Sequence, residues 1–122
     1  MATSKYKNKK TLCGGIEFAS KAEAKRYEYL SLLQIAGLIS DLEHQVRFEL
    51  ITKQVWSTFI DDEVPLVVKE RACYYVADFQ YLRGGRMVVE DVKGMKKSPA
   101  EYIIKRKLML ERHGIVIREV RP

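Results

Sequence analysis

Residues 74–94, YYVADFQYLRGGRMVVEDVKG, constrain the fold more than any other stretch of this chain. They contain two runs rich in aromatic and β-branched residues, which is typical of β-strands. Between the runs lie Gly84 and Gly85, which tolerate the positive φ angles of a tight hairpin turn. The stretch therefore predicts two antiparallel strands joined by a two-glycine turn.

Charged residues occur on both predicted strands. Side chains alternate between the faces of a strand, so Asp91 and Lys93 share one face and Glu90 points to the other. Asp78 and Asp91 both lie on the halves of their strands that are distant from the turn, so the hairpin can bring them together. Such charges on one sheet are costly unless something uses them, so we expect a functional cluster here.

The chemistry of this cluster is that of a small metal site. Carboxylate oxygens are the ligands that Mg²⁺ or Mn²⁺ prefers, and such an ion can activate water beside a phosphate. A lysine next to the ion can stabilise negative charge or orient the attacking water. The alternative is a surface ion pair between Asp91 and Lys93, a common feature that contributes little.

A helix is predicted from Ser20 to Gly37. Ser20 and Glu23 have the spacing of a capping box, and Tyr27 and Leu30 begin an apolar pattern at helical spacing. Gly37 is expected to end the helix as a left-handed cap. Helix geometry alone favours capping as the role of Glu23, although its position one turn before Tyr27 places it toward the buried face.

The remaining elements complete an αβββαβ order. Alternation predicts a strand over 42–50, on which His44 is expected to be a satisfied core histidine. A second helix is expected to be capped by Ser98, with Pro99 in its first turn, and a last strand follows over 115–120. This order predicts an α/β (α+β) fold in which a mixed central sheet carries a helix on each face. Residues 51–70 fit either a long hairpin extension or a folded insertion.

Length and composition predict one intracellular domain. With 122 residues and no internal repeat, we expect a flexible basic arm over 1–13 and a single domain over 14–122. No signal peptide or membrane-spanning run is recognisable, and two isolated cysteines are expected to be reduced thiols. The net charge of +6 favours a polyanionic partner, and the alternative is a set of solvated basic faces with a disordered arm. The candidate phosphate-contacting residues are Lys9, Lys10, Lys96, Lys97, Lys105 and Arg106.

Taken together, these motifs resemble the PD-(D/E)XK nuclease superfamily. Asp78 followed by Glu90-Asp91-Val92-Lys93-Gly94 is similar to its signature, and the predicted element order over 14–121 resembles its restriction-endonuclease-like core. The segments GIEFASKAEAKRYEYL, LEHQVRF, YYVADFQY and VVEDVKG resemble a family of small phage and prophage proteins of unknown function within that superfamily. Archaeal Holliday-junction resolvases are similar to these in size and layout. Ala77 stands where the motif's name has Pro, and Asp91 replaces the commoner Glu.

The resemblance implies a Mg²⁺- or Mn²⁺-dependent DNA endonuclease. Asp78 and Asp91 would bind the metal, Lys93 would act on the transition state, and Glu23 would be the third carboxylate. Glu23 could cap the helix and serve the site only if its side chain does not fold back onto Ser20. Gln45 is similar to an accessory polar position.

By analogy, we expect a homodimer that cuts branched DNA in the cytoplasm of a bacterial host, encoded by a phage or prophage. Two other function classes fit the sequence. One is a noncatalytic DNA-binding module that keeps the nuclease fold. The other is an interaction protein of a phage assembly.

Overall fold

The protein has a mixed α+β fold. The computed structural model describes residues 11–60, 62–94 and 99–121. The elements follow the chain in the order β1 (Thr11–Cys13), β2 (Ile16–Phe18), α1 (Lys21–Ile35), β3 (Ser40–Ile51), β4 (Gln54–Phe59), β5 (Pro65–Glu70), β6 (Cys73–Arg83), β7 (Arg86–Val92), α2 (Ala100–His113) and β8 (Arg118–Val120). Neither helix of the described ranges is long and apolar enough to cross a membrane.

The central sheet has the strand order β3-β6-β7-β8. β3 pairs with β6 and β6 with β7 in antiparallel fashion, whereas β8 returns parallel to β7 after α2. The predicted αβββαβ order is therefore confirmed as α1-β3-β6-β7-α2-β8. Two separate hairpins are added to it, β1–β2 and β4–β5.

Helix ends largely follow the sequence signals. The Glu23 backbone N–H donates to the Ser20 hydroxyl at 3.1 Å, so the predicted cap of α1 is confirmed. Gly37, with φ +78°, follows the end of α1 in the left-handed conformation. Pro99 was expected inside the first turn of α2, but it is the N-cap, because its ψ of 153° is extended and the helix begins at Ala100. Ser98 lies outside the described residues.

Two apolar clusters fix the helices to the sheet. Phe18, Leu30 and Phe79 belong to the cluster under α1, and Leu50, Tyr75 and Met109 to the cluster under α2. Adjacent residues of β7 serve different clusters, because Val88 packs with the α1 group and Val89 with the α2 group. The two helices therefore lie on opposite faces of the sheet along β7.

Three sequence expectations need correction. Residues 11–13, assigned to the basic arm, form β1 because they pair with β2. His44 is exposed rather than buried, although its ring lies 5.8 Å from that of Phe18. The last strand is confined to Arg118–Val120, the residues that pair with β7. Of the two alternatives for 51–70, the hairpin extension is the one observed over 54–59 and 65–70, since β4 and β5 pair only with each other within the described ranges.

Candidate active site at the open end of the β6–β7 hairpin

The β6–β7 hairpin brings the two aspartates close together. The strand pairing ends at Phe79 and Glu90, the residues next to Asp78 and Asp91, and the charge of Asp91 contributes to the raised pKa of Asp78. Asp78 is half-buried, and its Oδ2 accepts the backbone N–H of Val92 at 2.7 Å. The predicted proximity of Asp78 and Asp91 is thereby confirmed, and a backbone bond fixes the orientation of Asp78.

Asp91 is held between a tyrosine and a lysine. Its Oδ2 accepts the Tyr75 hydroxyl at 2.6 Å, and its Oδ1 lies 3.2 Å from Lys93 Nζ. The side chains of Asp91 and Lys93 are each only 13% exposed. A freely solvated surface pair is therefore excluded, and the charges interact more strongly than they would in water.

Lys93 is positioned by α2 and β8. Its Nζ lies 2.9 Å from the centroid of the Tyr102 ring, and its backbone N–H donates to Val120 O at 2.8 Å. The Tyr102 hydroxyl in turn donates to Glu119 at 2.8 Å, and Arg106 lies 2.9 Å from the same carboxylate. The pKa of Glu119 is held below its usual range, mainly by the hydrogen bond from the Tyr102 hydroxyl and to a lesser extent by Arg106. An ammonium group held over an aromatic face has few positions open to it.

Glu23 completes the group from α1. Its Oε2 is buried and has no hydrogen-bond partner among the described residues. Burial raises the pKa of Glu23, and the charge of Asp91 raises it further, while the Ser20 hydroxyl lowers it. Ser20 caps the backbone N–H of Glu23 and its hydroxyl also interacts with the Glu23 carboxylate, so Oε2 is the carboxylate oxygen that stays available to a ligand.

The three carboxylates carry an excess of negative charge. Burial raises the pKa of Asp78 to about 7, and the charges of Glu23 and Asp91 add to this shift. The Val92 N–H and Lys93 oppose the shift without cancelling it. Three carboxylates therefore share a partly buried site with one lysine, which leaves the site short of positive charge.

A divalent cation fits this deficit. Carboxylates are the hard oxygen donors that Mg²⁺ and Mn²⁺ prefer, and the unpartnered Glu23 Oε2 is an orphaned acceptor beside them. As the side chains stand, no group of three or more His, Cys, Asp or Glu in the described ranges has the arrangement of a metal site. Asp78 and Asp91 are bonded instead to Val92, Tyr75 and Lys93.

Glu90, the rival ligand, has a structural role. Its side chain is fully buried, and Arg26 of α1 binds it in a bidentate pair with N···O distances of 2.8 and 2.7 Å. The Tyr81 hydroxyl donates to the same carboxylate. Strand alternation correctly predicts that Glu90 and Asp91 point to opposite faces of β7. Its partner Arg26 was missed, since no sequence signal links residues 64 positions apart.

The predicted phosphate-contacting residues are only partly described. Lys9, Lys10, Lys96 and Lys97 lie outside the described residues. Lys105 pairs with Glu101 at 3.2 Å on the surface of α2. Arg106 forms a salt bridge with Glu119 beside the site.

Gln45 lies close to the site in register. Its neighbours His44 and Val46 pair with Phe79 and Ala77, the residues that flank Asp78. Gln45 is exposed and has φ +53°, a left-handed conformation that interrupts the alternation of β3. Together with Glu17, Phe18 and Ala19 it lines a cavity of about 310 Å³.

Three residues around the site escaped sequence reasoning, namely Tyr75, Tyr102 and Glu119. Tyr75 lies on a predicted strand, and the strand pattern alone gives it no role. Asp91 pairs with Glu119 in the parallel register of β7 and β8. The predicted crossover implies this parallel pairing, so the sequence could have indicated that Glu119 lies near the site. Tyr102 could have been suspected from its place in the first turn of the helix that follows Lys93.

Asp78→Asn should stabilise the protein in the absence of metal. The raised pKa means that the folded chain keeps a proton between about pH 4 and 7 that the unfolded chain has lost, so wild-type stability falls as pH rises through this window. Asparagine cannot ionise, and its side-chain oxygen can still accept the Val92 N–H. At about pH 8 in EDTA, we expect a gain of about 1–3 kcal/mol in the free energy of unfolding, measured with urea.

That gain should shrink toward zero at about pH 4, where both forms are neutral. The matched control is Asp41→Asn, an exposed residue at φ +53° where asparagine is well tolerated. Equal stabilisation at both pH values would contradict the charge-crowded site.

Comparisons with known proteins identify the family. A family model described as "Protein of unknown function (DUF1064)" matches residues 3–121. The chain therefore belongs to the DUF1064 family. Searches of curated proteins and of solved structures found no match.

Proposed function

We propose that this DUF1064 protein is a metal-dependent endonuclease that hydrolyses phosphodiester bonds in DNA. The observation that carries the proposal is the half-buried group of Glu23, Asp78, Asp91 and Lys93, in which Asp78 has a pKa raised to about 7 and Glu23 Oε2 has no partner. A purely structural cluster would be expected to pair its charges, as Arg26 and Glu90 do.

Each residue has a distinct role in this proposal. Asp78, Asp91 and Glu23 would hold Mg²⁺ or Mn²⁺. The bound ion would supply Lewis acidity toward a phosphate oxygen and lower the pKa of a water molecule. Lys93, held between Asp91 and the Tyr102 ring, orients that water or stabilises the charge that develops on the phosphate. Tyr75 and Val92 keep the two aspartates in place.

The basic charge of the chain supports DNA as the substrate. The net charge is +6, and Lys105 lies on the helix that also carries Tyr102. Lys9, Lys10, Lys96, Lys97 and Arg106 remain proposed phosphate contacts. Contacts of this kind give affinity without sequence choice and a marked dependence on salt. Branched DNA, a homodimer and a phage- or prophage-encoded role in the bacterial cytoplasm rest on the resemblance to junction resolvases.

The test is a cleavage assay on end-labelled four-way junction, flap, duplex and single-stranded DNA. Each substrate is incubated with Mg²⁺, Mn²⁺ or EDTA. We expect cleavage with either metal and none in EDTA, with the four-way junction cut fastest. Cutting that persists in EDTA would overturn the metal mechanism. Binding without cutting on every substrate would instead favour the noncatalytic DNA-binding module.

A further inference from the structure

The β4–β5 hairpin, here called the ribbon (residues 54–59 and 65–70), exposes apolar side chains on both faces. Residues directly opposite each other in an antiparallel pair share a face, and Trp56 pairs with Val68 while Thr58 pairs with Leu66. The other face carries Val55, Ser57, Phe59, Pro65, Val67 and Lys69. A ribbon that covers a core on one side would show polar residues on the other.

The ribbon is poorly supported by its own protomer. None of its residues belongs to either of the core clusters that the described ranges form. Val55, Phe59 and Val67, all on the face that ends in Lys69, are 59, 64 and 59% exposed. A two-stranded hairpin alone is at best marginally stable in water, and exposed apolar surface of this kind marks an interaction site.

The ends of the ribbon carry opposite charges. Asp62 and Glu63 lie at the tip, where the chain turns from β4 to β5. Lys53, Lys69 and Arg71 lie at the base, where they line a cavity of about 710 Å³ together with Glu70 and Tyr74. An acidic tip opposes binding to DNA. The acidic tip does complement the positively charged base of a second ribbon that runs in the opposite direction.

We propose that the ribbon is a dimerisation arm whose partner is a second copy of this chain. The two arms pack through the face of Val55, Phe59 and Val67, related by a two-fold axis, so that the tip of each reaches the base of the other. Such an isologous contact needs a self-complementary surface, and an apolar face with acidic and basic ends is self-complementary. One face per protomer offers roughly 500 Å², or about 1,000 Å² in total, at the lower end of stable interfaces.

Dimerisation through the ribbon does not require the proposed cleavage chemistry. It does supply a surface for the homodimer that cutting a four-way junction calls for. Because the test measures mass rather than cleavage, failure of the dimer and failure of the nuclease proposal are distinguishable.

The experiment is sedimentation velocity of the full chain at concentrations up to about 100 µM, above the micromolar range where small interfaces associate. We expect a dimer for the wild type and a monomer for Val67→Asp. The matched control is Leu66→Asp, the adjacent residue on the opposite face of the ribbon, which should remain dimeric. Both residues are exposed, so neither change should alter the circular dichroism spectrum.

A charge exchange tests the tip-to-base arrangement. Glu63→Lys and Lys69→Glu should each weaken the dimer at least about tenfold, and the double variant should recover most of the loss. A wild-type monomer over the whole concentration range would overturn the inference, as would equal dissociation by Leu66→Asp and Val67→Asp. Failure of the double variant to recover would overturn the antiparallel arrangement.

Discussion

Asp91→Asn should lower the rate of DNA cleavage by about 10³-fold or more, which corresponds to roughly 4 kcal/mol of transition-state stabilisation. The change removes a charged oxygen donor from the proposed ion and also the anion that holds Lys93 at 3.2 Å. Lys93→Ala should cost about 10²–10³-fold, because it removes one preorganised charge and leaves the three carboxylates in place. Single-turnover cleavage of the preferred substrate at saturating enzyme measures both.

Matched controls separate chemistry from charge. Arg86→Ala removes a cation from the exposed start of β7, at the far end of the strand from Asp91, and Asp41→Asn removes an exposed carboxylate. Both should retain cleavage within about threefold of the wild type, in line with weakly acting surface charges. If Asp91→Asn cleaves as fast as these controls, the assignment of the site is wrong.

Arg26→Ala should strongly destabilise the protein. It leaves the fully buried Glu90 carboxylate without its cationic partner, and removing one member of such a pair typically costs about 3–5 kcal/mol. Urea unfolding followed by circular dichroism measures the loss. The control is Lys25→Ala, the adjacent exposed residue of the same helix, which should change the free energy of unfolding by less than about 0.5 kcal/mol.

A double replacement distinguishes an unpaired charge from simple loss of packing. Arg26→Met combined with Glu90→Leu removes both charges at similar volume, and should recover most of the stability lost by Arg26→Ala. A double variant as unstable as the single one would show that the ion pair is not the source of the effect. The Arg26–Glu90 pair joins α1 to β7 and so helps to hold Glu23 of α1 near the two aspartates. Loss of the pair should therefore also reduce cleavage.

The parts of the fold predicted from sequence rest on local physics. Alternation and two glycines determine the β6–β7 hairpin, where Gly84 and Gly85 have φ of +57° and +78°. Alternation also separated Asp91 from Glu90 correctly. The serine cap of α1 and the left-handed Gly37 after that helix are likewise local signals, and both are confirmed.

What sequence reasoning missed depends on contacts between distant residues. The bidentate Arg26–Glu90 pair joins residues 64 apart, and the contact of Lys93 with the Tyr102 ring depends on how α2 packs. The even alternation predicted for β3 fails at Gln45, whose φ is left-handed, so Leu42 packs with the α1 cluster while Phe48 packs with the α2 cluster. His44 lies before this break with its ring near Phe18 and Tyr27, but it is exposed at the margin of the α1 cluster.

Binding of Mn²⁺ measured by isothermal titration calorimetry is the sharpest test of the proposed metal site, because it requires no knowledge of the DNA substrate. We expect saturable binding to the wild type, with protons released below about pH 7 as Asp78 ionises. Asp78→Asn and Asp91→Asn should each lose this binding, whereas Asp41→Asn should keep it. Absence of saturable binding to the wild type, or equal binding by all three variants, would contradict a metal site formed by Glu23, Asp78 and Asp91.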